Sequence, residues 1–176
     1  MIVLVGFMGA GKTTVGELLA GQLGLPFTDA DQVIEQRAGR PVRQIFAEDG
    51  EPAFRALEHQ VITALLDGPE LVLALGGGAA GHPRTRQRLT GAQVVYLHVS
   101  YEQALARVGG DPGRPMLARP GLAETYQQRL ALYAEIATLT VPTDGRSPEA
   151  ISRDIMARLV GETAVGGRAP YSPPGG

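Results

Sequence analysis

The chain has 176 residues, 44% hydrophobic and 19% charged, with 16 basic against 18 acidic residues and a formal net charge of −2. That length supports one domain with a real core, and the charge balance lacks the basic excess of a duplex-binding protein. There is no cysteine and no apolar run near the roughly 20 residues of a membrane span, which excludes disulfides, thiolate metal sites and a spanning helix. The N-terminal apolar run is too short for a signal peptide, so the expected location is the cytoplasm. Asparagine is absent and there are 13 prolines. Heat tolerance and a codon-biased genome explain those counts equally well.

The first element is the strand Ile2 to Val5, a short apolar run with three β-branched residues. It runs into Gly6-x-x-Gly9-x-Gly11-Lys12-Thr13, which fits the phosphate-loop pattern at every fixed position. Phosphate oxygens sit in a ring of backbone N–H groups that side chains would block, and glycine also permits the positive φ angles of such a nest. A helix opening at Lys12 adds the positive end of its dipole. Lys12 is then placed for the β- and γ-phosphates, and the Thr13 hydroxyl for Mg²⁺. Of the 16 basic residues, 15 are arginine and Lys12 is the single lysine. A phosphate loop needs a compact ammonium, which the guanidinium fork cannot replace.

The pattern predicts a first helix over 12–23 with Gly24 as its stop, then a short strand from Leu25 to Thr28 followed by Asp29-Ala30-Asp31. Short helices are expected over Val33–Ala38 and Val42–Glu48, and Asp49-Gly50 is expected as a turn. A longer helix should run from Pro52 to about Leu66. Leu71 to Leu75 reads as a buried strand ending in Gly76-Gly77-Gly78, Pro83 to Leu89 as a basic surface helix, Val94 to Val99 as a strand and Tyr101 to Val108 as a helix. The stretch from Gly109 to Pro115 is too rich in glycine and proline for regular structure and reads as a long loop. A helix over 121–136, a strand over Thr138–Val141 and a helix over Pro148–Val160 complete the pattern, and 161–176 reads as a disordered tail.

Strands alternate with helices, and the strands lack in/out alternation. That is the mark of a parallel sheet covered on both faces, an α/β fold that binds ligands beyond the strand C-termini. Gly6, Asp29, Gly76 and the segment after Val99 should therefore meet at one cleft.

Several residues there suit chemistry. Asp29 and Asp31, read as alternate residues of an extended segment, would face the same way; one would hold a metal-bound water and the other accept a proton. The structural alternative is that Asp31 caps a helix. Arg55 and Glu58, three apart on a helix, form either a weak surface pair or a held fork for a substrate carboxylate. The Gly76–Gly78 run would let a substrate ring lie against backbone. Arg107, Arg114 and Arg119 flank or occupy the Gly-rich loop. Arg114, braced by Pro112 and Pro115, suits a lid that closes on phosphates. His59, His82 and His98 show no spacing for a metal or a triad and read as structural or surface residues.

The ordered set of phosphate loop, Asp29-x-Asp31, Phe54-Arg55-x-x-Glu58, Gly76-Gly77-Gly78, Arg114-Pro115 and Arg129-x-x-Leu132-Tyr133 resembles the shikimate kinases over residues 1 to about 160. The resemblance implies a three-layer, doubly wound α/β sandwich with a five-stranded parallel sheet, a P-loop kinase fold like that of nucleoside monophosphate kinases. It implies one domain over 1–160, with a lid at about 109–120 and a substrate-binding helical segment at about 32–62. It implies transfer of the ATP γ-phosphate to the 3-hydroxyl of shikimate, on the route to chorismate and aromatic amino acids. ATP would be co-substrate and Mg²⁺ the cofactor, with small molecules as the partners of a monomer and neither nucleic acid nor membrane involved.

Carried onto this sequence, the resemblance makes Lys12, Asp31 and Arg114 catalytic. It assigns nucleotide binding to Gly9, Ala10, Gly11, Lys12, Thr13, Thr14, Arg107, Arg114 and Arg146. It assigns shikimate binding to Asp31, Arg55, Gly76, Gly77, Gly78 and Arg129, and metal binding to Thr13 and Asp29. Two other readings remain beside it. A gluconate kinase on the same fold would need no paired arginines for a ring carboxylate. A regulatory nucleotide-binding protein without kinase activity would show a broken lid or lack Lys12.

Overall fold

The computed structural model describes residues 1–109 and 121–165. Five strands, β1 (Ile2–Val5), β2 (Phe27–Asp29), β3 (Val72–Ala74), β4 (Gln93–His98) and β5 (Leu139–Pro142), form one sheet in the order β2-β3-β1-β4-β5, every pair parallel. Val3 and Leu4 of β1, Val72 and Leu73 of β3, and Val94, Val95 and Leu97 of β4 are wholly buried. The continuous apolar runs are thus covered on both faces.

The helices are α1 (Lys12–Leu23), α2 (Ala30–Ala38), α3 (Val42–Glu48), α4 (Gly50–Leu66), α5 (Pro83–Leu89), α6 (Tyr101–Val108), α7 (Leu122–Ile136) and α8 (Pro148–Val165). They flank the sheet. α1 packs on α8, while α7 meets β4. Val15 and Leu19 of α1, Ile151 and Ile155 of α8, and Tyr126 and Tyr133 of α7 join the strands in one core. A second, smaller cluster of Ile34, Ile45, Phe54 and Val61 knits α2, α3 and α4 together. That helical segment therefore carries its own core beside the sheet.

Several boundaries differ from the sequence reading. β2 starts at Phe27, because the Leu25 N–H turns back to the Ala20 carbonyl in the stop that Gly24 makes at φ 66°. α4 opens at Gly50, whose φ of 82° lets the helix begin two residues before Pro52. A single 3-10 turn, Ala79–Gly81, follows the glycine run and had no signal in the sequence. α8 continues to Val165, past the expected stop at Val160, because Gly161 costs only about 1 kcal/mol within a helix already anchored in the core. The rest of the expected tail and all of the expected lid beyond Gly109, Arg114 and Arg119 included, lie outside the described residues.

His59 and His82 stack with ring centroids 4.9 Å apart, and the buried Thr85 hydroxyl lies 3.1 Å and 3.5 Å from their Nδ1 atoms. His98 meets Tyr96 edge-on at 5.6 Å. Among the described residues no helix is long and apolar enough to cross a membrane.

Candidate active site

The parallel sheet sends all five strand C-termini to one end, and the chemistry-bearing residues follow them. The phosphate loop leaves β1 and enters α1 through Gly11, at φ 88° with no side-chain cap. The first N–H groups of α1 thus have no internal partner from a cap and are available to an anion. Gly9 has φ 74°, and a Cβ there would lie 2.9 Å from the Ala104 carbonyl oxygen, so neither conformation nor space admits a side chain. Ala10 is buried and its N–H donates to the Phe7 carbonyl at 3.2 Å. Lys12 folds over the loop, Nζ donating to the carbonyls of Gly6 at 2.8 Å and Phe7 at 3.2 Å. Thr13 and Thr14 are exposed in the first turn.

Asp29 ends β2 and is also the N-cap of α2, where its Oδ1 accepts the Asp31 N–H at 2.9 Å. This corrects two expectations. Asp31 is not the cap, and the pair does not lie in one extended segment, because Asp31 already belongs to the first helical turn. The two carboxylates divide instead. The Asp29 Oδ2 accepts from the Thr13 hydroxyl at 3.3 Å. Two hard oxygen donors at the mouth of the phosphate loop fit Mg²⁺, which takes few protein ligands and completes its shell with phosphate and water. Among the described residues no cluster of three or more His, Asp or Glu side chains would hold a metal by itself.

Asp31 turns the other way, toward Gly76. A Cβ on Gly76 would lie 2.7 Å from Asp31 Oδ1 and 3.1 Å from Glu58 Oε1. Burial raises the Asp31 carboxyl above the ordinary range, the Asp29 carboxylate raises it further, and Lys12 opposes both. Glu58 is 1% exposed, and burial likewise lifts its proton affinity against the pull of Arg55. Arg55 donates to Glu58 at 2.7 Å and to Glu51 at 3.2 Å. Burial pulls the Arg55 guanidinium down, but the Glu58 and Glu51 carboxylates together more than offset this. Its guanidinium also lies 5.1 Å from the Phe54 ring and 5.6 Å from the Phe46 ring. The fork is therefore held from behind, as a carboxylate grip requires.

The three glycines pack against these groups. A Cβ on Gly78 would overlap the Arg55 guanidinium, and one on Gly77 would sit 3.4 Å from Arg129 Nη1 and 3.5 Å from the Tyr133 hydroxyl. Arg129, on α7, lies 5.7 Å over the Phe7 ring of the phosphate loop. Residues from α2, α4, α7 and the loop after β3 thus meet at one place, beside the phosphate loop. Glu58 is the buried support of Arg55, the second of the two readings the sequence offered, and Tyr133, which the sequence quoted only as a motif neighbour, is the buried support of Gly77.

Two expected nucleotide contacts are engaged with the protein. Arg107 donates to the carbonyls of Gly9 at 2.9 Å and Thr143 at 2.7 Å, tying the phosphate loop to the segment after β5. Arg146 donates to the Pro142 carbonyl at 3.0 Å and pairs with Asp154 at 3.0 Å. Both sit at the same end of the sheet.

Known proteins match this chain in sequence and fold. The family described as shikimate kinase matches residues 8–160. A shikimate kinase of Mycobacterium avium (strain 104) is 47% identical over 161 residues, covering 89% of this chain and 92% of that protein. Among solved structures, shikimate kinase from Acinetobacter baumannii in complex with shikimate is 37% identical with a TM-score of 0.85, covering 92% and 93% of the two chains. Shikimate kinase from Aquifex aeolicus is 30% identical with a TM-score of 0.79, covering 94% and 99%.

Proposed function

The chain belongs to the shikimate kinase family, and from that premise we propose how its own residues divide the work. It is an ATP-dependent phosphotransferase that carries the γ-phosphate to the 3-hydroxyl of shikimate, giving shikimate 3-phosphate and ADP. The observation that carries the assignment of roles is the convergence of Asp31, Arg55, Glu58 and Arg129 on the Gly76–Gly78 backbone, next to Lys12 and Thr13.

In this reading the N–H groups of Gly9 through Thr14 cradle the nucleotide phosphates. Lys12 leaves the Gly6 and Phe7 carbonyls to meet the charge that builds on the transferring group. Thr13 and Asp29 would hold Mg²⁺, which when bound neutralises phosphate charge and orients the γ-phosphoryl group. Asp31 accepts the proton of the acceptor hydroxyl. Its raised affinity for protons suits that task, because a base poised nearer neutrality holds the proton better once transfer begins. Arg55 and Arg129 grip the acceptor carboxylate, and Gly76, Gly77 and Gly78 form the floor on which its ring lies. Arg107 and Arg146 border the nucleotide base. Residues 109–120 act as a lid and bring Arg114 to the phosphates, excluding water.

We further propose that the enzyme works as a monomer in the cytoplasm. Its net charge of −2 supplies no excess of positive charge to hold nucleic acid. The test is coupled ADP release with shikimate, gluconate or no acceptor present. Turnover should depend on shikimate. Faster turnover with gluconate, or ADP release indifferent to acceptor, would overturn the assignment.

A further inference from the structure

Arg129 and Tyr133 lie four residues apart on α7, one turn from each other on a shared face. Tyr133 is 1% exposed, and its ring packs 5.2 Å from that of Tyr96. Its hydroxyl donates to the Gly77 carbonyl, and the Arg129 side chain lies close enough to act on that hydroxyl electrostatically. A Cβ on Gly77 would meet both groups, at 3.4 Å and 3.5 Å, so Arg129 and Tyr133 border the same face of Gly77. One hydroxyl therefore ties α7 to the acceptor floor at the place where the Arg129 fork borders it. Burial pushes the phenol up to about 12, which keeps its proton in place.

We propose that Tyr133 is a positioning residue for acceptor binding: it joins Gly77 and Arg129 into one strut and so presets the arginine that meets the substrate carboxylate. This rests on the assignment of that carboxylate to Arg129. A long arginine side chain loses rotamer freedom when it grips a ligand, and a fork already held loses less. The hydroxyl's hydrogen bond is to the backbone of the acceptor floor and not to a residue assigned to the nucleotide. Its removal should therefore weaken acceptor binding and spare the chemical step.

Steady-state kinetics of Tyr133→Phe, with thermal unfolding as the check on folding, test this. The shikimate KM should rise about fivefold, the worth of one neutral or charge-assisted hydrogen bond. The kcat should stay within about twofold and the ATP KM should be unchanged. Placed in an Arg129→Ala background, Tyr133→Phe should add less than about a further twofold, because the fork it presets is gone. Incorporating 4-aminophenylalanine at position 133, which restores a donor, should recover most of the loss. Should Tyr133→Phe not keep its fold, 4-fluorophenylalanine at that position fills the hydroxyl's volume without donating and is read in the same way. An unchanged shikimate KM, an equal rise in the ATP KM, or the full effect persisting without Arg129 would overturn the strut. A parent enzyme that does not turn over shikimate would instead overturn the acceptor assignment, so the two fail separately.

Discussion

Asp29 uses its two carboxylate oxygens for two different purposes: Oδ1 accepts the backbone N–H of Asp31 at 2.9 Å, and Oδ2 faces the Thr13 hydroxyl at 3.3 Å. The same side chain therefore starts α2 and fronts the phosphate loop. Asp31, carried into the helix by that cap, points its carboxylate at Gly76. Two acidic residues separated by one alanine are thereby assigned to different ligands.

That division separates their variants. Asn is as good an N-cap as Asp, so Asp29→Asn should keep the fold while losing charge beside the metal. It should require a higher Mg²⁺ concentration for half-maximal rate. Asp31→Asn should lose most turnover at any Mg²⁺ concentration while still binding nucleotide. Titrating Mg²⁺ against each variant decides this. Parent-like metal dependence in Asp29→Asn would remove its metal role, and undiminished transfer in Asp31→Asn would remove the proton acceptor.

Lys12→Met should lower turnover by roughly a thousandfold, because an ammonium that stabilises developing phosphate charge contributes several kcal/mol to the barrier. Lys12 is only partly buried and donates to loop carbonyls, so the unfolding midpoint should change little. Near-normal turnover in this variant would contradict the phosphate-loop assignment.

The sheet was legible in the sequence because its inner strands are short apolar runs, β1 rich in β-branched residues and closed by Gly6 at the cleft. Ile2–Val5 was read at its true bounds for that reason. The motif residues were legible as types at fixed spacing. Their relations were not. By spacing alone Arg55 and Glu58 read more readily as a weak surface pair, since spacing says nothing of burial, and only the fold makes Glu58 1% exposed. Asp29 and Asp31 were misread as one extended pair because the start of α2 depends on a side-chain cap, and an Asp at either position signals one equally. The contact of Tyr133 with Gly77 joins residues 56 apart and has no local signal at all.

The three glycines should differ from one another when each is changed to alanine. A Cβ on Gly78 would overlap the Arg55 guanidinium, and one on Gly76 would lie 2.7 Å from Asp31 Oδ1. Both variants should displace a functional side chain, the first raising the shikimate KM and the second lowering kcat. A Cβ on Gly77 meets nothing nearer than 3.4 Å. Gly77→Ala should therefore unfold at the parental temperature, and its defect should be confined to acceptor binding, where the added methyl takes up space above the floor. Thermal unfolding beside acceptor kinetics checks all three; a large loss of stability in Gly77→Ala alone would contradict the packing.

His82 supplies a pH dependence of stability. Burial lowers its proton affinity below the ordinary 6.5, and the neighbouring His59, Arg84, Arg55 and Arg86 lower it further. A folded state that binds the proton more weakly than the unfolded chain loses stability as pH falls below 6.5 toward the lowered value. Above 6.5 the ring is neutral in both states and the contribution is level. His82→Gln should accordingly show a smaller drop in unfolding midpoint between pH 7 and pH 5 than the parent. An identical drop in both proteins would show that protonation of His82 is not coupled to folding.

The paired arginines carry the most exposed part of the functional reading. Arg55 comes from α4 and Arg129 from α7, and both border the glycine run. Charge-assisted hydrogen bonds are worth about 1.5–3 kcal/mol, so Arg55→Ala and Arg129→Ala should each raise the shikimate KM at least about tenfold, with the ATP KM nearly untouched. The two variants should differ in stability. Arg55→Ala leaves Glu58 buried without its partner, a loss of about 3–5 kcal/mol for a broken buried pair, reduced by whatever protonation of Glu58 relieves. Its unfolding midpoint should fall well below that of Arg129→Ala. Adding Glu58→Gln to Arg55→Ala should restore most of the midpoint and none of the KM, because it removes the stranded charge without returning the grip. A shikimate analogue lacking its carboxylate should be a poor substrate for the parent and lose little more in either variant. If that analogue separates parent from variants as strongly as shikimate does, the arginines act on something other than the carboxylate, and the acceptor is held another way.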